Sequence, residues 1–225
     1  MAAGEMSPKE FTGFLTTTFR RLAENSTDGS IHEICMDWRH TGEMLEAGNA
    51  VYSGLKNVCV WVKSNAGMGS LFRSQHELIF VWKNGTAPHI NNVELGVHGR
   101  NRSNVWRYAG TNAFRAGRMD ELSIHPTVKP TALVADAIKD CSRRGGVVLD
   151  PFMGSGTTLI SAERTGRKAR GIELDPAYCD VIVRRWQKLT GKTGILVETG
   201  ASFDEVEEQR CAPANSNQKT ETAAA

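Results

Sequence analysis

Apolar positions recur at two spacings along this chain, and the order in which the spacings alternate points to its architecture. Phe11, Phe14, Leu15, Phe19 and Leu22 fall three or four residues apart, on one face of a helix. Ser7-Pro8-Lys9-Glu10 opens that helix. The serine hydroxyl caps it, proline takes the first helical position, where no N–H is needed, and Glu10 stands where a capping box requires an acid. A β-rich run, Ile31 to Met36, comes next, then a helix from about Thr41 to Ala50. Two further β-rich runs, Asn57 to Lys63 and Glu77 to Lys83, flank the Gly-rich loop Ser64 to His76.

The segment Asn84 to Arg118 is rich in Asn, Gly and Arg and has no sustained periodicity. It reads as a long excursion, and such loops in compact domains are usually functional. Regular spacing returns at Pro130, with Leu133, Val134, Ala137, Ile138 and Cys141 on one helical face and a stop at Gly145 and Gly146. A strand Val147 to Leu149, a Gly-rich turn, a helix from about Gly156 to Thr165 and a strand Ala169 to Glu173 follow. Asp175 then caps a helix with Tyr178, Ile182, Trp186 and Leu189 as its buried stripe. Gly194 to Val197 is a candidate for one more strand, and residues 204–225, which lack aromatics, are expected to form a disordered tail. Strands alternating with helices call for a parallel, doubly wound α/β sheet, here in one domain over residues 1–203.

Composition changes this picture little. With 225 residues, 40% hydrophobic and 23% charged, the chain suits one globular domain. No apolar run approaches the roughly 18 to 20 residues of a membrane helix, and no secretion signal follows Met1, so a cytoplasmic protein without a membrane partner is expected. Cys35, Cys59, Cys141, Cys179 and Cys211 are odd in number and show no CxxC spacing, which argues against a disulfide framework and a metal site. The net charge of +2 is uninformative, but its distribution is not: Arg100, Arg102, Arg107, Arg115 and Arg118 face the single acid Glu94 within the excursion.

Three strings carry candidate chemistry. Asp150-Pro151-Phe152-Met153-Gly154-Ser155-Gly156-Thr157-Thr158 joins a strand end to a helix start, where glycines let the backbone approach a ligand and free N–H groups are presented. Gly171-Ile172-Glu173-Leu174-Asp175 places an acid at the end of the next strand, a position from which dinucleotide-type folds bind ribose hydroxyls. His125-Pro126-Thr127-Val128-Lys129-Pro130 is by itself a rigid turn into a helix. A nicotinamide-type oxidoreductase is disfavoured, because no further glycine completes GxGxxG after Gly156.

In this order and spacing the three strings resemble the permuted (β-class) N4-cytosine and N6-adenine DNA methyltransferases, in which the catalytic half precedes the cofactor half. The resemblance covers about Ser7 to Phe203. It implies a Rossmann-like α/β methyltransferase fold in a three-layer sandwich, S-adenosylmethionine as cofactor and double-stranded DNA as partner. It also implies that Asp150, Phe152, Gly154, Ser155, Gly156, Thr157 and Thr158 line the cofactor pocket, that Glu173 holds the ribose, and that His125, Thr127 and Lys129 close the pocket. The β-rich runs at Ile31, Asn57 and Glu77 become the fifth, sixth and seventh strands, the last two an antiparallel hairpin at one sheet edge.

The family's catalytic motif, an Asp, Asn or Ser followed by Pro-Pro and an aromatic, belongs at the end of the fourth strand, just before the helix that here starts at Pro8. No Pro-Pro pair occurs in this sequence. The expectation is therefore a sheet lacking its fourth strand, a chain inactive alone, and completion by a homodimer mate or a complementing chain; no catalytic residue is assigned. For DNA contact the candidates are Arg73 and His76 beside the Gly-rich loop, and Arg100, Arg102 and Asn104 in the excursion, since Arg neutralises phosphates or reads guanine and Asn pairs with adenine. A solvated polar loop is the alternative. Trp106 and Tyr108 are expected to anchor the excursion to the core.

Overall fold

α1 (Pro8–Glu24) starts where its own side chains cap it. The Ser7 hydroxyl accepts the Glu10 N–H at 3.4 Å while the Glu10 carboxylate accepts the Ser7 N–H at 2.8 Å. The computed structural model describes residues 6–69, 71–97, 101–110 and 128–211. The chain divides into two compact units, residues 1–182 and 183–225.

In the first unit β1 (Ile31–Met36), β2 (Gly54–Val62), β3 (His76–Lys83) and β4 (Val105–Arg107) form a sheet in the order β1-β3-β2-β4. β3 runs antiparallel to both its neighbours, and β4 lies parallel to β2. Alternation along β3 decides which side chain meets which layer. Phe80 and Trp82 face α1 and α2 (Thr41–Val51), in a cluster with Leu15, Phe19, Met44, Ala47 and Tyr52. Ile79 faces the other way, with Cys59, Trp61, Trp106 and Leu133 of α3 (Thr131–Cys141). Helices thus cover both faces, and each large apolar side chain so buried contributes roughly 1.5 to 3 kcal/mol. Gly48 sets the distance of α2 from the sheet: a β-carbon there would come within 2.1 Å of the Trp82 ring.

β5 (Val147–Asp150) and β6 (Lys168–Gly171) form a separate parallel pair, joined through α4 (Thr157–Thr165). The Ser161 hydroxyl donates to the Thr131 carbonyl at 3.1 Å and so ties α4 to the start of α3. α5 (Pro176–Thr190) is capped by Asp175, which accepts the Ala177 N–H at 2.8 Å. Among the described residues β1 pairs only with β3, and β5 only with β6. Among the described residues the strands thus fall into two sheets, and none pairs with both β1 and β5, between which the fourth strand was expected.

Four expectations need correction. The hairpin of β2 and β3 is not at the sheet edge, because β4 adds to the outer side of β2 and arises inside the excursion that had no periodicity. Three residues are too few to show a period of two. The strand Ala169 to Glu173 ends at Gly171. Gly194 to Val197 makes only an isolated bridge, Ile195 to Ser202. Residues expected to begin a disordered tail form α6 (Phe203–Cys211), whose start is a second capping box: the Ser202 hydroxyl accepts the Glu205 N–H at 3.2 Å, and Glu205 accepts the Ser202 N–H at 2.7 Å. An ion pair of Arg184 with Glu207 holds α6 within the second unit.

Candidate cofactor turn and two Arg-bearing loops

The strand-to-helix turn after β5 is organised by Asp150. Its carboxylate accepts the Phe152 N–H at 2.9 Å and the Thr158 hydroxyl at 2.5 Å, which folds the chain back toward α4. Gly154 (φ +50°) and Gly156 (φ +83°) take the left-handed conformations that the turn requires. Ser155 and Thr157 are buried, the Thr157 hydroxyl donating to the Lys129 carbonyl at 3.4 Å. Gly156 is the N-cap of α4, and no side chain caps that helix, so its first N–H groups and partial positive charge face the turn.

Glu173 closes the site from just beyond the end of β6. One carboxylate oxygen accepts the Gly154 N–H at 2.7 Å, and the other accepts the N–H groups of Leu174 and Asp175 at 2.9 and 3.0 Å. A carboxylate has about four acceptor positions, so capacity is left for a ligand hydroxyl. Phe152 in the turn is 59% exposed, and Leu174, the residue after this acid, is 95% exposed. The string reading gave no role to Ile172 and Leu174; the signal present was an acid flanked by apolar residues.

Lys129 reaches Glu77 at 3.6 Å, and Glu77 also receives Lys63 at 3.4 Å. The amino end of β3 is thereby linked to the segment before α3. Burial pushes the nearby Cys35 thiol up to about 12, which removes it as a nucleophile at neutral pH. His125, Thr127 and Arg100 lie outside the described residues. Among the described residues no cluster of three or more His, Cys, Asp or Glu side chains is arranged for a metal ion, and no helix is long and apolar enough to cross a membrane.

The two segments expected to contact DNA differ sharply. Arg73 lies on the exposed loop after β2, where its guanidinium donates to the carbonyls of Gly67 and Ala66 at 3.1 and 3.0 Å, and His76 is exposed at the start of β3. Arg102, by contrast, is turned inward: it pairs with Asp140 of α3 at 2.6 Å and lies over the Trp106 ring at 4.5 Å. Asn104 donates to Asn57 and to the Val58 carbonyl, both at 3.2 Å, and so holds β4 in register. Arg102 and Asn104 thus make contacts within the protein, whereas Arg73 and His76 are exposed. Asn92 donates to the carbonyls of Lys139 and Ser142 at 2.8 Å, and Tyr108 donates to Asp136 at 2.6 Å. Asn92 and Tyr108 thus clamp the excursion to α3 and its carboxyl end on either side of β4.

Glu33 of β1 sits behind this clamp. Burial raises its carboxyl to about 7, with the negative charge of Asp140 adding to the rise and Arg102 opposing it. Burial likewise lowers His32 to about 4, its ring packed edge-on against Tyr52 and hydrogen-bonded to that hydroxyl at 2.9 Å.

A two-layered set of helices about a broken sheet, with a glycine turn at one strand end and an acid after the next, defines a nucleotide-type α/β protein. A family model described as DNA methylase, of the N6 and N4 type, matches residues 2–184, and the chain belongs to that family. The type II methyltransferase M.ScaI of Streptomyces caespitosus is 39% identical over 87 residues, 39% of this chain and 29% of that protein. The DNA adenine methyltransferase YhdJ of Escherichia coli strain K12 is 34% identical over 152 residues, 65% of this chain and 46% of that protein. The chain spans less than half the length of these relatives. Among solved structures, the M1.HpyAVI–SAM complex is similar with a TM-score of 0.63 at 21% identity, over 77% of this chain and 82% of that one. The cytosine-N4-specific PvuII DNA methyltransferase is similar with a TM-score of 0.65 at 14% identity, over 85% and 78%. Likeness at such identities is one of fold, and the Rossmann-like fold expected is the one observed.

Proposed function

We propose that this chain binds S-adenosylmethionine at the turn Asp150 to Thr158 with Glu173, and forms the cofactor-binding part of a methyltransferase acting on an exocyclic amine of adenine or cytosine in double-stranded DNA. The observation that carries the reading is the Glu173 carboxylate held against the Gly154 N–H at 2.7 Å, which joins the two motifs into one site. The residues fit the cofactor. Gly154 and Gly156 keep β-carbons out of the turn, the uncapped start of α4 offers N–H groups, Glu173 offers an acceptor to ribose hydroxyls, and Phe152 and Leu174 offer apolar surface to a flat base. When bound, the cofactor supplies an electrophilic methyl group on a sulfonium. His125, Thr127 and Lys129 belong to the segment proposed to cover it.

What the chain's own residues do not supply is a holder for the amine. An exocyclic amine conjugated into its ring is a weak nucleophile and needs orientation in line with the methyl group. The polar residue, Pro-Pro and aromatic that would orient it are absent from this sequence. The interruption between β1 and β5 supports the same reading, as does the exposure of Val147 and Leu149, 63% and 37%, on a strand expected to be central. A segment bearing that motif, in cis or on a homodimer mate or complementing chain, fills the interruption in this proposal.

Calorimetry with S-adenosylmethionine tests the cofactor site. Glu173→Ala is expected to weaken binding by roughly 1 to 3 kcal/mol, the cost of losing a hydrogen bond to a charged group. Unchanged affinity would remove Glu173 from the site. Labelled-methyl transfer to mixed genomic DNA is expected to be nil for these 225 residues alone and to appear when a strand ending in the motif is supplied. Turnover without it would overturn the second half of the proposal.

A further inference from the structure

The loop leaving β2 presents large apolar side chains to solvent. Met68 is 93% exposed, and Leu71 and Phe72 are each 83% exposed. Isolated exposed apolar residues are ordinary, but three within five positions on a loop that is itself well tied are not. The Gly67 N–H donates to the Ser74 carbonyl at 2.7 Å and the Lys63 N–H to the Gln75 carbonyl at 2.8 Å. The Arg73 guanidinium bonds the carbonyls of Ala66 and Gly67 across the loop. At Gly69 the chain returns so closely that a β-carbon would lie 2.0 Å from the Phe72 carbonyl oxygen. This fold holds Met68, Leu71 and Phe72 outward when collapse would bury them.

The surroundings point to one partner. Residues 64–76 contain Arg73 and His76 and no acid, so an anion is favoured beside the apolar tip. The loop also stands at the edge that carries the proposed site. It leaves the carboxyl end of β2, the Trp38 indole just after β1 donates to Ser74 at 3.4 Å, and Glu77 at the loop's far end holds Lys129. Trp38 is itself 52% exposed. A polyanion whose interior is a stack of flat apolar rings matches both properties, and Met, Leu and Phe are the side chains that pry apart base steps.

We infer that Met68, Leu71 and Phe72 form a wedge that enters the stacked bases of duplex DNA beside the nucleotide to be extruded, with Arg73 at its base against the phosphates. The inference rests on the proposed function and adds to it the means of opening the duplex. Extrusion costs a few kcal/mol of stacking and pairing, and a wedge that replaces the lost stacking offsets part of that cost.

The test uses a mixed-sequence duplex carrying one fluorescent base analogue and the full chain. In the double variant Leu71→Ser, Phe72→Ser, duplex affinity is expected to fall about tenfold and the unstacking signal of the analogue to diminish. The slope of log affinity against log salt is expected to stay unchanged, since no phosphate contact is lost. Phe72→Trp is expected to retain affinity, with its emission quenched on DNA. All these positions are exposed, so the core is untouched. Unchanged affinity, or a slope reduced by about one unit, would overturn the wedge. So would sedimentation showing that the double variant only converts a dimer to monomer, which would make the tip a self-association surface. Cofactor calorimetry separates the levels: binding intact with the wedge effects absent sinks the wedge alone, whereas no cofactor binding by the parent chain sinks the functional proposal.

Discussion

The loop after β2 and the excursion after β3 both bring arginine to a polar stretch, yet one arginine staples an outward-facing apolar tip and the other ties its segment down. Arg73 spends its hydrogen bonds on carbonyls six and seven residues away, so the loop it closes remains at the surface. Arg102 reaches an acid on another element and lies over a tryptophan, so its segment becomes part of the layer that covers the sheet. Basic composition alone does not separate these outcomes. The position of a counter-charge in the fold does.

Arg102→Ala is expected to cost about 3 kcal/mol in urea unfolding, because Asp140 is left partly buried beside Glu33 with its cation gone. A loss below about 1 kcal/mol together with weakened DNA binding would place Arg102 at the nucleic-acid surface.

A second test follows from Glu33, which shares that clamp. Its folded pKa of about 7 lies above the ordinary 4.5, so its contribution to stability is complete below the ordinary value and is lost as pH rises through about 7. The change across that window is expected to be up to about 3 kcal/mol. Glu33→Gln should flatten the stability curve there; an unaltered curve would mean that the carboxyl is not enclosed. His32 acts in the opposite sense over an overlapping window, its depressed pKa removing stability as pH falls from 6.5 to about 4, so the difference between the parent chain and Glu33→Gln isolates the carboxyl's part.

The smallest effect on stability belongs to Arg73. Arg73→Ala is expected to change unfolding free energy by no more than about 0.5 kcal/mol, as exposed substitutions do. It should nevertheless flatten the salt dependence of duplex binding by about one unit. A large loss of stability would show that the loop, like the excursion, is structural.

Local signals made much of the molecule legible in the sequence. Ser7 and Glu10 marked the first helix, the alternation in β3 marked a strand with two buried faces, and the glycines of the turn after Asp150 were recognisable because positive φ is a local requirement. The same kind of signal at Ser202 and Glu205 was present but masked by the polar composition that followed, which is why α6 was missed. Trp106 was rightly expected as an anchor of the excursion, since a buried indole needs neighbours, but β4 around it was too short to show a period.

The sequence by itself thus determined the elements, the motif turn and the likeness to a family, all of which depend on residues a few positions apart. It took the folded chain to show that Arg102 pairs with Asp140, that Glu173 closes on Gly154 across 19 positions, that among the described residues β1 and β5 have no common neighbour, and that the apolar tip at Leu71 and Phe72 stays in water. Each of these depends on which distant group arrives next to a side chain. A charge or an apolar surface carries no record of its partner until the chain has folded.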